Sequence, residues 1–215
     1  MKRVCLFLLA TALLAIPQSG MSLTLEYDLT TVVDGSTPAD AHLTVNDDGD
    51  KAGYIQFDLE VIVDPNIGDL RGIFFDIDGD FPAELTTADV LGDHITDRVI
   101  DENNVTKTGG GNTINPLGPF DVGLEIGSSG MGKDDIQSVT FYVSDLGETL
   151  TAADFQNFAV RMTSVGLPDG GRNGSSKLGV VEPPQPGSEV PEPGTILLLT
   201  FGLIGLAGFR KKFRK

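Results

Sequence analysis

At 215 residues the chain is long enough for one large domain or two small ones. Its formal net charge is −16, and the imbalance sharpens inside: all 31 acidic residues lie between Glu26 and Glu192, where only 8 bases accompany them, a net of −23. So acidic a surface excludes nucleic acid and anionic lipid headgroups as partners, because binding phosphate requires Lys and Arg to displace counterions, and it suits solubility and divalent cations instead.

Residues 1–22 read as a leader. Lys2 and Arg3 precede a charge-free run, 4–16, which Pro17 and the small residues Ser19, Gly20 and Ser22 follow. A positive start, an apolar middle and a small-residue end make up a secretory signal peptide, with cleavage expected after Ser22. The run falls short of the ~20 apolar residues that a permanent transmembrane helix needs. Cys5, the single cysteine, lies inside it. A chain processed after Ser22 therefore has no thiol, which excludes disulfides, thiolate catalysis and cysteine-ligated zinc.

From residue 23 onward the pattern is that of strands. Segment 23–33 opens the series. Segment 53–63 alternates with period two, placing Ile55, Phe57, Leu59, Val61 and Val63 on one face and Tyr54, Gln56, Asp58, Glu60 and Ile62 on the other. Further strands are expected at 71–77, at 120–126 with Phe120, Val122, Leu124 and Ile126 on one side, at 138–143 and at 157–165. Turn-rich stretches separate them, among them Asn46, Asp47, Asp48 and Gly49, and later Leu167, Pro168, Asp169 and Gly170. Two short helices are expected near 86–91 and 151–155, the second with Thr151 and Asp154 at capping-box spacing. Together these elements make an all-β body, an antiparallel β-sandwich with one or two short helices.

Asp76, Asp78 and Asp80 alternate in sequence, as do Asn46, Asp48 and Asp50. Oxygen ligands two residues apart begin a calcium loop, yet Phe81 and Lys51 stand where an EF-hand has Gly, and Thr87 and Phe57 where it has its last Glu. Asp and Asn also form turns on an acidic surface, so Ca2+ is one of two readings that stay open. His42 and His94, the only histidines, have no neighbouring motif, and surface or strand-edge places are expected for both. No nucleophile elbow, His-Glu-x-x-His or phosphate loop occurs, so no catalytic residue is assigned and the body is expected not to be an enzyme. Trp is absent, so the flat aromatic platform common in carbohydrate modules reduces to Tyr27, Tyr54 and Tyr142 and phenylalanines that the core mostly claims, and nothing in the sequence supports direct polysaccharide recognition.

After residue 178 the composition changes. Pro183, Pro184 and Pro186 deny segment 179–189 both helix and central strand, so an extended proline-rich linker is expected. Pro191, Glu192 and Pro193 then lead into an uncharged run, closed by Arg210, Lys211, Lys212, Phe213, Arg214 and Lys215. At ~1.5 Å per residue a helix over 196–209 spans roughly 21 Å, short of a hydrocarbon core of ~30 Å, which suits a transient stay in the membrane. The basic end belongs on the cytoplasmic side, and the acidic body then falls on the far side, where the leader also sends it.

This succession of Pro191, Glu192 and Pro193, apolar run and basic cluster, residues 190–215, resembles the PEP-CTERM protein-sorting domain. The cluster departs from the pattern in holding Lys as well as Arg. The resemblance implies recognition and processing near the motif by an exosortase, a membrane transpeptidase-like enzyme of Gram-negative bacteria that make exopolysaccharide; this chain would be its substrate. Residues 155–178 are also similar to the final strand and tail of extracellular β-sandwich domains that precede such signals, which supports the fold and names no activity.

The expected organisation is a signal peptide at 1–22, an acidic β-sandwich at 23–178, a linker at 179–189 and a sorting signal at 190–215. The function the resemblance implies is that of an exported envelope, surface or extracellular matrix protein, sorted by an exosortase and associated with exopolysaccharide. A calcium-dependent carbohydrate-binding module and a secreted hydrolase are the alternatives left open.

Overall fold

The computed structural model describes residues 23–128, 133–179 and 185–186. The expected leader and the sorting segment lie outside these residues. In chain order the strands are β1 (Thr24–Leu29), β2 (Thr31–Gly35), β3 (Asp40–Asn46), β4 (Tyr54–Ile62), β5 (Ile67–Ile77), β6 (Val90–Leu91), β7 (Ile95–Val105), β8 (Phe120–Ile126), β9 (Ser138–Ser144), β10 (Phe155–Gly166), β11 (Gly174–Gly179) and β12 (Gln185–Pro186). They form two six-stranded sheets, ordered β12-β1-β3-β4-β9-β6 and β2-β11-β10-β5-β8-β7. The pairings in both sheets are antiparallel.

Alternation builds the space between the sheets. In the first sheet Leu25, Tyr27 and Leu29 of β1, Ala41, Leu43 and Val45 of β3, Ile55, Phe57 and Leu59 of β4, and Val139, Phe141 and Val143 of β9 all point inward and are buried. The second sheet meets them with Ile73 and Phe75 of β5, Leu124 of β8 and Phe158 and Val160 of β10, in one continuous apolar cluster. Phe57 sits at its centre, stacked on Phe141 at 4.7 Å between ring centroids and edge-on to Phe155 at 5.0 Å. Such pairs add about 0.5–1.5 kcal/mol each beyond the area they bury. Tyr27 reaches across the core from the first sheet, and its hydroxyl donates to the Phe155 carbonyl of the second at 3.0 Å. Burial pushes that phenol up to about 12.

The central strands β5 and β8 of the second sheet are buried on both faces, because the segment joining β7 to β8, residues 106–119, folds back over their outer side. Ile114 from that segment completes a second apolar cluster with Phe74, Val105, Phe120 and Ala159. Polar contacts pin the segment down. The Gly109 amide donates to Asp97 and the Gly110 amide to Glu125, each at 2.6 Å, while the Asn112 side-chain amide donates to the Arg71 carbonyl at 3.1 Å. Lys177 on β11 donates to the Asn115 carbonyl and, at 2.7 Å, to Asp34 on β2. Gly110 is required here: a Cβ on it would lie 1.9 Å from Glu125 Oε1.

Three expectations change. Segment 23–33 is two strands, not one, because the chain leaves the first sheet after Leu29 and enters the second at Thr31. The segment 120–126 hides both of its faces, not one, since Asp121 and Glu125 are covered by the overlying segment and neighbouring strands. The two expected helices are three-residue 3-10 turns, Thr87–Asp89 and Ala152–Asp154. In each, the Asp carboxylate accepts from the backbone N–H and hydroxyl of the capping Thr, Asp89 with Thr86 and Asp154 with Thr151. The residues that follow, Val90 and Phe155, already lie in extended backbone, so each turn stops after one cycle.

Candidate functional site

The first sheet leaves its outer face uncovered over β3, β4 and β9, and the same alternation that buries Leu43, Phe57 and Phe141 turns a polar set outward. Antiparallel register aligns it in rows. Asp28, His42, Glu60 and Ser138 form one row, Glu26, Thr44, Asp58 and Thr140 the next, and Asn46, Gln56, Tyr142 and Leu91 the third. Neighbouring rows on one face lie about 7 Å apart along each strand.

A wall turns this face into a groove. The short β6 pairs Leu91 with Tyr142, after which the chain bends at Gly92 and carries Asp93 and His94 along the edge. A Cβ at Gly92 would lie 2.8 Å from Ile95 Cγ1 and 3.0 Å from Phe141 Cβ, so glycine lets the bend sit against the sheet. The resulting open cavity of about 740 Å3 is lined by His42, Thr44, Asp58, Glu60, His94 and Tyr142, among others. His42 Nδ1 lies 2.8 Å from Asp28 Oδ1, which fixes the ring. Asp58 accepts from the Gln56 amide at 2.7 Å and from the Thr140 hydroxyl at 2.5 Å, and so holds its carboxylate in place between β4 and β9. Lys51, also in the lining, places its Nζ 5.1 Å from the Tyr54 ring centroid and 6.0 Å from that of Tyr142.

Chemically, the groove offers hydroxyls, carboxylates, imidazoles and a half-buried tyrosine ring on a floor of hydrogen-bonded strands. Both histidines of the chain, which carry no motif, line this groove from positions 42 and 94. Sequence reasoning found the outward row of β4 but had no means of setting it beside β3 and β9.

The two acidic clusters behave differently. Asp76, next to last in β5, has one oxygen accepting the Asp121 amide at 3.2 Å and the other the Asn157 side chain at 2.9 Å. Asp78 accepts from the Gln156 side chain, and Asp80 lies exposed in the loop beyond. Burial raises the Asp76 carboxyl above its ordinary range. In the other cluster Asn46 accepts the Asp48 amide at 2.9 Å, an Asx turn, while the Asp50 amide donates to Gln56 at 2.8 Å. Among the described residues no three His, Cys, Asp or Glu side chains converge as a metal would require.

The all-β body is followed in the sequence by a proline-glutamate-proline tripeptide, an apolar run and a basic cluster, the layout of an envelope-sorting signal. Residues 189–212 match the family model of the PEP-CTERM protein-sorting motif, and the chain is thus an exosortase-targeted protein, exported and sorted to the envelope. Pro191, Glu192, Pro193, Arg210, Lys211 and Lys212 fall within the match, while Arg214 and Lys215 lie beyond it. No curated protein and no solved structure matches the chain.

Proposed function

We propose that the protein is a non-enzymatic component of the cell surface or extracellular matrix, and that its body associates with exopolysaccharide through the outer face of the first sheet. The observation that carries this reading is the open groove over β3, β4 and β9, whose floor presents hydroxyl, carboxylate and aromatic groups in registered rows. Donors and acceptors fixed at strand spacing suit a polyhydroxylated chain lying across the sheet, and a tyrosine ring supplies an apolar face with a polar tip. The sorting motif supports the location, since an exosortase substrate is delivered to the envelope.

The test is direct. The purified protein, titrated calorimetrically with exopolysaccharide from the producing cells, binds without releasing reducing ends, and Tyr142→Ala or Thr44→Val weakens binding while leaving the melting midpoint within a few degrees. Reducing ends that appear in proportion to protein would establish a hydrolase instead.

A further inference from the structure

We infer that the glycan taken by this groove carries free amines, as 2-amino sugars do, and not uronic acids; the inference rests on the reading that the groove is the glycan site. Of the charged side chains that line it, Asp58, Glu60 and Asp93 are carboxylates and Lys51 alone is an ammonium. Two more acids, Asp28 and Glu26, continue the same rows on β1. Lys51 lines the same groove, with its charge held over the rings of Tyr54 and Tyr142. A uronate chain laid along these rows brings its own carboxylates against Glu60 and Asp58, with Lys51, already held over the tyrosine rings, as the single ammonium to receive them. An ammonium meets the opposite situation, since its three donors match exposed carboxylate oxygens and the resulting hydrogen bonds are charge-assisted. The tyrosine faces add to this, because they already attract the cation of Lys51.

The whole body is acidic, so general attraction has to be separated from the groove. Measurements at physiological salt limit long-range attraction to ~8 Å. The full chain in detergent is titrated with three soluble oligosaccharides: a glucosamine oligomer with free amines, its fully N-acetylated counterpart, and an oligouronate. The free-amine oligomer is expected to bind, the N-acetylated one about tenfold more weakly, and the oligouronate not at all. Glu60→Gln combined with Asp93→Asn, both at exposed positions, weakens amine binding to the level of the neutral oligomer. Lys51→Gln tightens it, a gain that a folding defect cannot imitate. Glu102→Gln, the loss of a single charge on β7 of the other sheet, leaves it unchanged.

An oligouronate that binds as tightly as the amine overturns the inference, and so does a loss at Glu102→Gln equal to that in the groove. Should the N-acetylated oligomer bind equally well and the groove variants abolish it, the amine preference falls while the glycan site stands. If none of the three binds, both fall.

Discussion

Arg71 and Glu125 face each other on adjacent strands β5 and β8 beneath segment 106–119, with Nη2 3.2 Å from Oε1 and both side chains almost wholly buried. The other Glu125 oxygen receives the Gly110 amide. One ion pair thus ties the sheet to the segment that covers it. Arg71 Nη1 has only Asp134 Oδ1 nearby, at 3.8 Å, too long for a hydrogen bond. Removing Arg71 leaves Glu125 charged and buried without its partner. Arg71→Leu is therefore expected to lower unfolding stability by about 3–5 kcal/mol, and Arg71→Leu with Glu125→Leu by less than the single change. Urea unfolding midpoints at constant m measure both, and a double variant weaker than the single one contradicts the account.

Gly110 offers a second test of the covering segment. With a Cβ placed 1.9 Å from Glu125 Oε1, Gly110→Ala should destabilise by about 1–3 kcal/mol. The effect should be local: hydrogen exchange accelerates at the amides of Gly109, Gly110 and Asn112, while those of β3 and β4 keep their protection.

Asp69 gives a pH signature. It lies buried on β5, accepts the Ile136 amide at 3.0 Å, and burial raises its carboxyl above the ordinary range. A carboxyl with a raised folded value favours folding only while it is protonated, and this contribution is lost as pH rises through that value. At neutral pH the ionised Asp69 therefore works against the fold. Asp69→Asn keeps an acceptor for Ile136 and should raise the melting midpoint near pH 7. The gain should vanish below about pH 4, where both side chains are neutral. Asp135 has the reverse sign. Its bidentate pairing with Arg172, at 2.6 and 2.7 Å, lowers its carboxyl, so Arg172→Ala should reduce stability at neutral pH and not in strong acid.

Calcium should leave the melting midpoint unmoved. Both oxygens of Asp76 are already engaged, and Asp78 is held by Gln156. A ligand that binds the native state raises the midpoint with its concentration, so a rise in millimolar calcium would restore the metal reading of Asp76, Asp78 and Asp80.

The sorting motif yields a cellular prediction. Replacing Pro191, Glu192 and Pro193 by alanines should block processing, and mass spectrometry should then find the chain in the membrane fraction with Arg210 to Lys215 still attached. Equal processing of the altered chain would show that the matched segment is not what the enzyme reads.

Much of the fold is legible in the chain because β4, β8, β9 and β10 carry their own alternation or apolar content. β11 does not. Its sequence, Gly174, Ser175, Ser176, Lys177, Leu178 and Gly179, has the composition of a loop, and it becomes a strand because β10 and β2 hold it from both sides. β7 was equally hidden, since Asp97, Asp101 and Glu102 suit an edge strand with register shifts better than a core one. The groove lay deeper still. His42, Glu60, His94 and Tyr142 belong to different elements, and only the cross-strand register, set by the buried faces, brings them to one place.

The opening and closing strands of the body run side by side. β2 pairs with β11, and β1 pairs with β12 through Leu25 with Pro186 and Glu26 with Gln185. A tug on the polypeptide beyond Pro186 therefore loads the two-residue pairing first. Behind it stands β11, clasped along both edges, which has to slide past two neighbours at once before the core can open. Tension that reaches β11 along its own axis is resisted in shear, shared among the hydrogen bonds of its ladders with β10 and β2.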